Sequence, residues 1–284
     1  MSRAVGYGAS RMRFKKFNLD DMCDHATIAM IAKRASGKSV LVKEIMKSIQ
    51  KKKKVPSAVV ICKTEKLNRS YGDHIPDSYI YYNFETDILS RIFSRQQRLI
   101  NDNDKRKKRG KKLKDDRVLL VMDDCMSDKN WVKDPNILEL FFNGRHYHIS
   151  FMLTMQYSKG LPPEMRGNLD YIFLLAEDFI CNRKRLYDDY AGMFPSFEIF
   201  KMVFSELTDN YGCMVINNRV HSNNIEDKVF WYKARPDVDF DFGDKVYNKF
   251  HRKNYNDRWD KMPLKFDYAK TSKKKLNFIV EKTK

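Results

Sequence analysis

The chain has 284 residues, of which 42% are hydrophobic and 13% aromatic, and this composition excludes a mainly disordered protein. Its formal net charge of +18 predicts that it binds a polyanion, usually a nucleic acid, although a merely basic soluble surface is the alternative. Five scattered cysteines without a C-x-x-C pair favour a reducing compartment, and no apolar run is long enough to span a membrane, so we expect a soluble protein without a transmembrane segment.

Short apolar runs rich in β-forming residues recur along the chain and alternate with helical patterns, as in βαβ units. Eight such runs predict strands, at residues 26–32, 57–62, 78–84, 117–124, 148–156, 170–176, 211–217 and 229–234. Amphipathic periodicity predicts helices over residues 38–50, 85–100 and 196–207. The expected fold class is therefore α/β, with a central, mostly parallel sheet flanked by helices.

Shifts in composition predict the domain boundaries. We expect a basic N-terminal extension over residues 1–20, one domain over 21–240 and a basic C-terminal tail over 241–284. Within the domain, the run "KRKKRGKKLK" at 105–114 has eight basic residues in ten and cannot build a core, which predicts a mobile loop over 102–116. This loop and Lys51–Lys54 are candidate contacts for nucleic acid. The alternative for both is a charged surface that contacts only solvent.

The segment between the first predicted strand and the first predicted helix resembles the phosphate-binding pattern G-x-x-x-x-G-K-[ST]. It consists of Ala32, Lys33, Arg34, Ala35, Ser36, Gly37, Lys38 and Ser39. The last three positions match, whereas alanine replaces the first glycine. This setting suits a phosphate site, because the backbone N–H groups that wrap phosphates lie at a helix N-terminus. A simple turn that contains Gly-Lys-Ser by chance is the alternative.

These eight residues are the predicted nucleotide-binding loop, with two side chains in defined roles. Lys38 would reach the β- and γ-phosphates, and the Ser39 hydroxyl would ligate Mg²⁺. Alanine at position 32 is small enough for close approach of the backbone to phosphate. A positive φ angle at Ala32 would however be strained.

The run "RVLLVMDDCM" places two acids after buried apolar residues, which is the Walker B arrangement. Asp123 would hold Mg²⁺, and Asp124 would orient or deprotonate the attacking water. Strands of doubly wound sheets also end in aspartate for unrelated reasons. A further strand is predicted between Lys38 and Asp123. If a strand other than 117–124 lies next to strand 26–32 in the sheet, Asp123 and Lys38 can reach the same crevice.

Three further polar residues flank the predicted strand at 148–156. Gln156 closes this strand and is predicted to hydrogen-bond the γ-phosphate or the attacking water, although a satisfied edge residue is the alternative. Arg145 precedes the strand and Arg166 follows it. Either arginine could stabilise transition-state charge on the nucleotide of a neighbouring subunit, and an ordinary surface arginine is the alternative for each.

Four segments together resemble a known family: "IAKRASGKS", "VLLVMDDCM", "FFNGRHYHISFMLTMQY" and "LPPEMRGNLDYIFLL". In this order and spacing they look like the genome-packaging ATPases of poxviruses and giant DNA viruses, in the FtsK-HerA group of P-loop ATPases. The resemblance extends over about residues 12–235 and implies a RecA/ASCE-like P-loop NTPase fold. It assigns Walker A roles to Lys38 and Ser39, Walker B roles to Asp123 and Asp124, a sensor role to Gln156, and the arginine finger to Arg145 ahead of Arg166.

The resemblance also implies a function and partners. The expected activity is ATP-driven translocation of double-stranded DNA into a viral capsid, with ATP and Mg²⁺ as cofactors. The expected assembly is a homo-oligomeric ring, a hexamer or a pentamer, with duplex DNA in its pore and capsid or portal components as further partners. The expected location is the virion or a viral factory in the host cytoplasm.

Two positions depart from the family pattern and keep other functions open. Ala35 stands where related loops commonly carry glycine, and Asp124 stands where many relatives use glutamate, so slower hydrolysis is expected. The missing glycines favour a basic, non-catalytic nucleic-acid-binding protein on a degenerate P-loop fold. A P-loop kinase of a small molecule is the other alternative, against which the basic excess and the absence of a recognisable lid argue.

Overall fold

The core of the protein is a mixed β-sheet. The computed structural model describes residues 12–125, 131–156, 161–236 and 239–258. Within these ranges the sheet has eight strands: β1 (Thr27–Ile31), β2 (Ala58–Cys62), β3 (Ile80–Tyr81), β4 (Val118–Asp123), β5 (Ile149–Met155), β6 (Tyr171–Leu175), β7 (Gly212–Asn217) and β8 (Val229–Lys233). Each of the eight predicted runs contains one strand, although the third keeps only two paired residues.

Helices cover both faces of this sheet. They are α1 (Lys38–Ser48), α2 (Glu65–Asn68), α3 (Thr86–Lys108), α4 (Pro135–Asn143), α5 (Pro163–Arg166), α6 (Ile180–Tyr190), α7 (Phe197–Leu207), α8 (Ile225–Lys228) and α9 (Lys245–Asn254). The three predicted helices correspond to α1, α3 and α7, which confirms those predictions, and α3 continues beyond its predicted end. None of the helices in the described ranges is long and apolar enough to cross a membrane.

The order of the strands decides which residues meet. The sheet runs β3-β2-β4-β5-β1-β6-β7-β8, and the six strands from β3 to β6 are parallel. Their carboxyl ends therefore lie at one edge, where Asp123 of β4 is in register with Thr154 of β5. Strand β7 is antiparallel to β6, and Cys213 pairs with Leu175. The beginning of β7 consequently lies at the edge where β1, β4 and β5 end.

Two apolar layers hold the sheet from opposite sides. Successive side chains of a strand point to opposite faces, so Ala29 contributes to one layer and its neighbours Ile28 and Met30 to the other. Helices α3, α4, α6 and α7 pack in the first layer, and α1 and α9 pack in the second. The central strands are buried on both faces, which explains why their sequences are continuous apolar runs.

The folded domain extends past both predicted boundaries. Phe17 is buried, and its ring packs on Tyr171, Phe173 and Phe230, so the expected N-terminal extension over 1–20 is wrong for the residues from Phe17 onward. At the other end, Phe242 is fully buried, and α9 packs on the sheet, so the expected tail over 241–284 is wrong up to residue 254. Residues 1–11 and 259–284 lie outside the described ranges. In the sequence Phe17 and Phe242 stand among charged residues, and only their contacts in the folded domain make them part of the core.

The expected loop over 102–116 is also wrong in its first half, because α3 continues to Lys108. The last turn of α3 carries Lys105–Lys108, and cations there interact favourably with the negative end of the helix dipole. The chain after the helix folds back on it: Arg106 Nε donates to the Lys112 carbonyl oxygen at 2.8 Å, and the Asn103 side chain binds both backbone groups of Lys114 at 2.9 Å.

Replacing Tyr247 tests whether α9 is part of the domain. Its ring stacks on Tyr79 with a centroid distance of 3.9 Å, and its hydroxyl donates to the Ala58 carbonyl oxygen at 2.9 Å. We expect Tyr247→Ala to lower the free energy of unfolding by about 3–5 kcal/mol. The neighbouring Val246 is 74% exposed, and Val246→Ala is expected to change the free energy of unfolding by less than about 0.5 kcal/mol. Equal effects in urea denaturation would show that α9 is a peripheral tail.

Candidate functional site

The loop between β1 and α1 leads directly into the N-terminus of a helix. Ala32 is buried, and its N–H donates to the Met155 carbonyl oxygen at 2.9 Å, which ties the start of the loop to the end of β5. The left-handed φ angles of the loop occur at Ala35, with 60°, and at Gly37, with 91°. The strain considered for Ala32 therefore falls on Ala35, where a left-handed alanine costs about 1 kcal/mol.

The other side chains of the loop hold it in place. Ser36 is buried, and its hydroxyl donates to the Lys33 carbonyl oxygen at 2.7 Å. The Lys33 ammonium forms an ion pair with Asp178, which follows β6. Arg34 and Ser39 are exposed, and Ser39 lies in the first turn of α1. In the described structure no side chain caps α1, so the first N–H groups of the helix stay available to a ligand.

Lys38 brings the loop and strand β4 together. Its ammonium nitrogen lies 3.3 Å from Oδ1 of Asp123 and 2.6 Å from Oδ2 of Asp124. The side chains of Lys38 and Asp123 are only 13% and 10% exposed, whereas that of Asp124 is 27% exposed. Charges this close and this poorly hydrated interact much more strongly than a surface ion pair. The two predicted segments thus meet in one cluster.

Gln156 joins the same cluster from β5. Its side-chain amide donates from Nε2 to Oδ2 of Asp124 at 2.9 Å. Strand β5 lies between β1 and β4, so its carboxyl end must emerge between the loop and the two acids. Asp124 has a φ angle of 51°, a conformation that turns the chain sharply after the strand. Lys38, Asp123, Asp124 and Gln156 form what we call the carboxyl-edge cluster.

Sequence reasoning missed two side chains that hold Asp123. The Thr154 hydroxyl donates to Oδ1 of Asp123 and also accepts the N–H of Asp124 at 3.2 Å. The Tyr71 hydroxyl donates to Oδ2 of Asp123 at 2.9 Å. Burial raises the pKa of Tyr71 well above its ordinary value, so this hydroxyl keeps its proton and remains a donor. Both carboxylate oxygens of Asp123 are therefore fixed by the protein.

Glu65 explains how Tyr71 reaches this position. The Glu65 carboxylate is buried and accepts hydrogen bonds from the backbone N–H groups of Ser70, Tyr71 and Gly72, at 2.9, 2.9 and 2.7 Å. These bonds wind the chain after α2 into a turn that points the phenol at β4. Thr154 had a weak signal in the sequence, because it and Ser150 are the two hydroxyl residues in the apolar run of β5. Tyr71 had none, because its contact depends on a turn without a sequence pattern.

Neither predicted arginine lies in the carboxyl-edge cluster. Arg145 is exposed, lies in the turn that precedes β5, and has no ion pair within the described part of the chain. The seven residues of β5 separate it from Gln156 by about 20 Å. Arg166 forms an ion pair with Asp189 and lies over the ring of Tyr190 at 5.7 Å. Arg166 therefore has a structural partner of its own, whereas Arg145 is free to contact another molecule.

The segment that carries this cluster matches a known family. Residues 12–232 match the profile of the poxvirus A32 protein. The chain belongs to this family. Protein L437 of Acanthamoeba polyphaga mimivirus is 44% identical over 248 residues, which cover 87% of this chain and 86% of L437. Protein 015R of frog virus 3 (isolate Goorha) is 31% identical over 263 residues, which cover 92% of this chain and 77% of 015R.

Solved structures show that the A32-family chain has the fold of a P-loop ATPase. The DNA-packaging ATPase B204 from Sulfolobus turreted icosahedral virus superposes with a TM-score of 0.52 at 17% identity, over 75% of this chain and all of B204. The genome-packaging NTPase B204 from Sulfolobus turreted icosahedral virus 2, in complex with AMP, gives a TM-score of 0.51 at 15% identity, again over 75% of this chain and all of that one. The predicted α/β P-loop fold is confirmed.

Tyr71→Phe tests whether Asp123 depends on its phenol donor. Hydrogen bonds to charged groups contribute about 1.5–3 kcal/mol, so we expect Tyr71→Phe to lower the free energy of unfolding by this amount. Tyr79→Phe is the control, because its hydroxyl donates to a neutral acceptor, the Tyr247 carbonyl oxygen, at 3.1 Å. It should cost about 1 kcal/mol. If urea denaturation gives the same loss of unfolding free energy for both variants, the hydrogen bond from Tyr71 to Asp123 does not contribute as a bond to a charged acceptor.

Proposed function

We propose that this A32-family protein hydrolyses ATP at the carboxyl-edge cluster and uses the energy to move double-stranded DNA into a viral capsid. One observation carries the proposal: the Lys38 ammonium lies at the end of the loop and within 3.3 Å of both strand-terminal acids. A triphosphate on the loop amides would meet a cation at Lys38 and, beside it, carboxylates that can hold a metal ion. B204 from Sulfolobus turreted icosahedral virus 2, which has the same fold, has been solved with AMP and with ATP-gammaS.

The residues of the cluster fit Mg²⁺. One ammonium and two carboxylates leave one net negative charge, which would repel a triphosphate unless a cation compensates it. Asp123 and the Ser39 hydroxyl would hold the ion, which would neutralise charge on the phosphate oxygens. The described residues contain no group of three or more His, Cys, Asp or Glu side chains that could hold a metal, so protein side chains would supply only part of the ligands. The other ligands would be phosphate and water oxygens, as is usual for Mg²⁺ in such sites.

The two acids of the cluster differ in ways that suit different roles. Asp123 is buried, and Thr154 and Tyr71 fix its two oxygens, so it provides a rigid negative charge. Asp124 is more exposed and contacts Gln156. We assign to Asp124 the removal of a proton from the attacking water and to Gln156 the orientation of that water. The short aspartate side chain still predicts slower hydrolysis than a glutamate would support.

This arrangement favours a catalytic protein over a degenerate nucleotide fold. The two missing glycines, at positions 32 and 35, are the argument for the degenerate alternative, and Ala35 nevertheless takes a left-handed φ. Lys38 contacts both acids, and Gln156 contacts Asp124. Two acids and an amide beside the lysine are the groups that hydrolysis needs in addition to nucleotide binding. No contact among the described residues specifically favours a small-molecule kinase.

The basic end of α3 is the better candidate for DNA contact. Lys52 and Lys53 form ion pairs with Asp20 and Asp24, at 3.0 and 2.9 Å, so part of the Lys51–Lys54 run is neutralised within the chain. Lys105, Lys107 and Lys108 at the end of α3 have no acidic partner in the described ranges. Such a charge cluster contacts phosphates regardless of base sequence, as a translocase requires. Capsid or portal components in the virion or viral factory would be the remaining partners.

A ring would give Arg145 a role. Arg145 lies at the amino edge of the sheet, about 20 Å from the cluster of its own chain, so it can act only on another subunit. A closed head-to-tail ring joins two different surfaces of the subunit, and in the ring we propose the amino edge of one subunit meets the carboxyl edge of the next. We propose that the protein assembles as a homo-oligomeric ring, a hexamer or pentamer, in which Arg145 is the arginine finger, in preference to the ion-paired Arg166.

Turnover of ATP tests the catalytic proposal. With Mg²⁺, the wild type should release phosphate, and Lys38→Ala or Asp123→Ala should abolish the release. Asp124→Asn keeps the shape of the side chain but removes the base, and should lower the rate about 100-fold or more. Lys249→Ala, an exposed position on α9, is the control and should behave as wild type. A wild type that neither binds nor hydrolyses ATP would overturn the proposal.

The same assay separates a DNA motor from a small-molecule kinase. Linear duplex DNA should raise the rate, and the increase should weaken with added salt, because the contacts are to phosphates. A rate that is unchanged by duplex DNA of any length would contradict translocation.

Mixing two inactive variants tests whether Arg145 acts between subunits. Arg145→Ala alone should lose about 1,000-fold in turnover. A mixture of Arg145→Ala and Asp124→Asn should regain activity, because interfaces form that combine an intact cluster with an intact arginine. A mixture of Lys38→Ala and Asp124→Asn is the control, since every cluster then carries a defect, and it should stay inactive. No recovery in the first mixture would rule out Arg145 as a finger in trans.

A further inference from the structure

Tyr211 lies directly beside the phosphate-binding loop. A methyl group on the Cα of Gly37 would lie 3.6 Å from Cδ1 of Tyr211 and 4.0 Å from its Cβ. The side chain is 67% exposed. It makes no ring contact, hydrogen bond or ion pair with any residue that the structure describes. An aromatic face is thus open to solvent next to the loop.

The backbone forces this ring outward. Asn210 and Tyr211 have φ angles of 47° and 61°, a conformation that a bulky residue rarely adopts. The next residue, Gly212, begins β7 so close to the preceding helix that a Cβ there would lie 2.4 Å from the Leu207 carbonyl oxygen. The tight entry into β7 therefore holds the turn at Asp209–Tyr211, which places Tyr211 beside Gly37.

The strand order places Tyr211 on the side of the loop away from the acids. Asp123 and Gln156 belong to β4 and β5, on one side of β1, whereas Tyr211 leads into β7, on the other side of β6. With about 4.8 Å between neighbouring strands, β4 and β7 each lie about 10 Å from β1, in opposite directions. A triphosphate whose terminal phosphate meets the acids extends away from them across Gly37. The rest of the nucleotide then arrives at Tyr211.

We propose that Tyr211 stacks on the base of the bound nucleotide and makes the site selective for nucleoside triphosphates over inorganic polyphosphate. This inference rests on the nucleotide site proposed above. A phenol ring offers a π-face to any purine but no hydrogen-bond pattern that distinguishes one purine from another at its face. Stacking on Tyr211 therefore contributes similarly to ATP and GTP.

Binding of nucleotide and of inorganic tripolyphosphate separates the two ends of the site. Isothermal titration with Mg²⁺ should give a Kd for ATP that is about tenfold higher in Tyr211→Ala than in the wild type. The Kd for tripolyphosphate should be the same in both, because that ligand has no base. Tyr211→Phe should bind ATP as the wild type does, since the ring is kept. Phe250→Ala, which removes an exposed aromatic on α9, is the matched control and should change neither Kd.

A tryptophan at this position provides a second readout that does not depend on affinity. In Tyr211→Trp, ATP and GTP should both quench the indole fluorescence, whereas tripolyphosphate should not. This variant also tests the inference if Tyr211→Ala fails to fold, because it keeps an aromatic ring at the turn. An indole that does not respond to ATP, in a protein that binds ATP, would overturn the inference.

The outcomes distinguish this inference from the proposed function. If the wild type binds neither tripolyphosphate nor ATP, the nucleotide site itself is wrong, and the inference falls with it. If the wild type binds both ligands and Tyr211→Ala binds ATP equally well, the nucleotide site stands and the role of Tyr211 is wrong. If Tyr211→Ala weakens ATP and tripolyphosphate by the same factor, the ring supports the shape of the loop and does not stack on a base, which also overturns the inference.

Discussion

The contact of Lys38 with Asp123 and Asp124 is the interaction on which the rest of the site depends. One cation between two carboxylates is stable in a poorly hydrated crevice only when each carboxylate has further donors, because an unpaired buried charge is costly. Thr154, Tyr71 and Gln156 are those donors. The cluster is thus a network, in which the loop, β4, β5 and the turn after α2 must all be in place together. A site of this kind cannot form before the sheet has formed.

The sheet divides the site into two halves around β1. On the side of β5 and β4, rigid acids and an amide surround the place where a terminal phosphate would react. On the side of β6 and β7, Tyr211 offers an exposed aromatic face. Left-handed backbone occurs in both halves and in the loop itself, at Asp124, Tyr211 and Ala35. Such conformations persist where the surrounding structure determines them strongly, and they often accompany ligand sites.

Local patterns predicted the elements well, and they failed where a contact was not local. All eight strands and the beginning of α1 follow from apolar runs and periodicity, and the signal is clearest for the central strands, which are buried on both faces and therefore leave continuous apolar sequences. The charge of residues 105–114 predicted a loop where α3 continues to Lys108, since a lysine-rich helix end has the same composition as a loop. The loop pattern does not specify which residue turns the chain. The positive φ therefore occurs at Ala35 and not at Ala32, where the pattern has its first glycine. Phe17 and Phe242 are isolated apolar residues, and only their partners reveal them as core.

The sequence by itself determined the fold class, the position of the loop at the junction of β1 and α1, and the chemical types of the residues at the strand ends. These properties depend on neighbours along the chain, so they leave a pattern that can be recognised. Only the tertiary structure decided that β5 lies between β1 and β4, that Tyr71 and Thr154 hold Asp123, and that Tyr211 lies over Gly37. These contacts join residues far apart in the chain, and their geometry follows from how the sheet and helices pack, which no local pattern encodes.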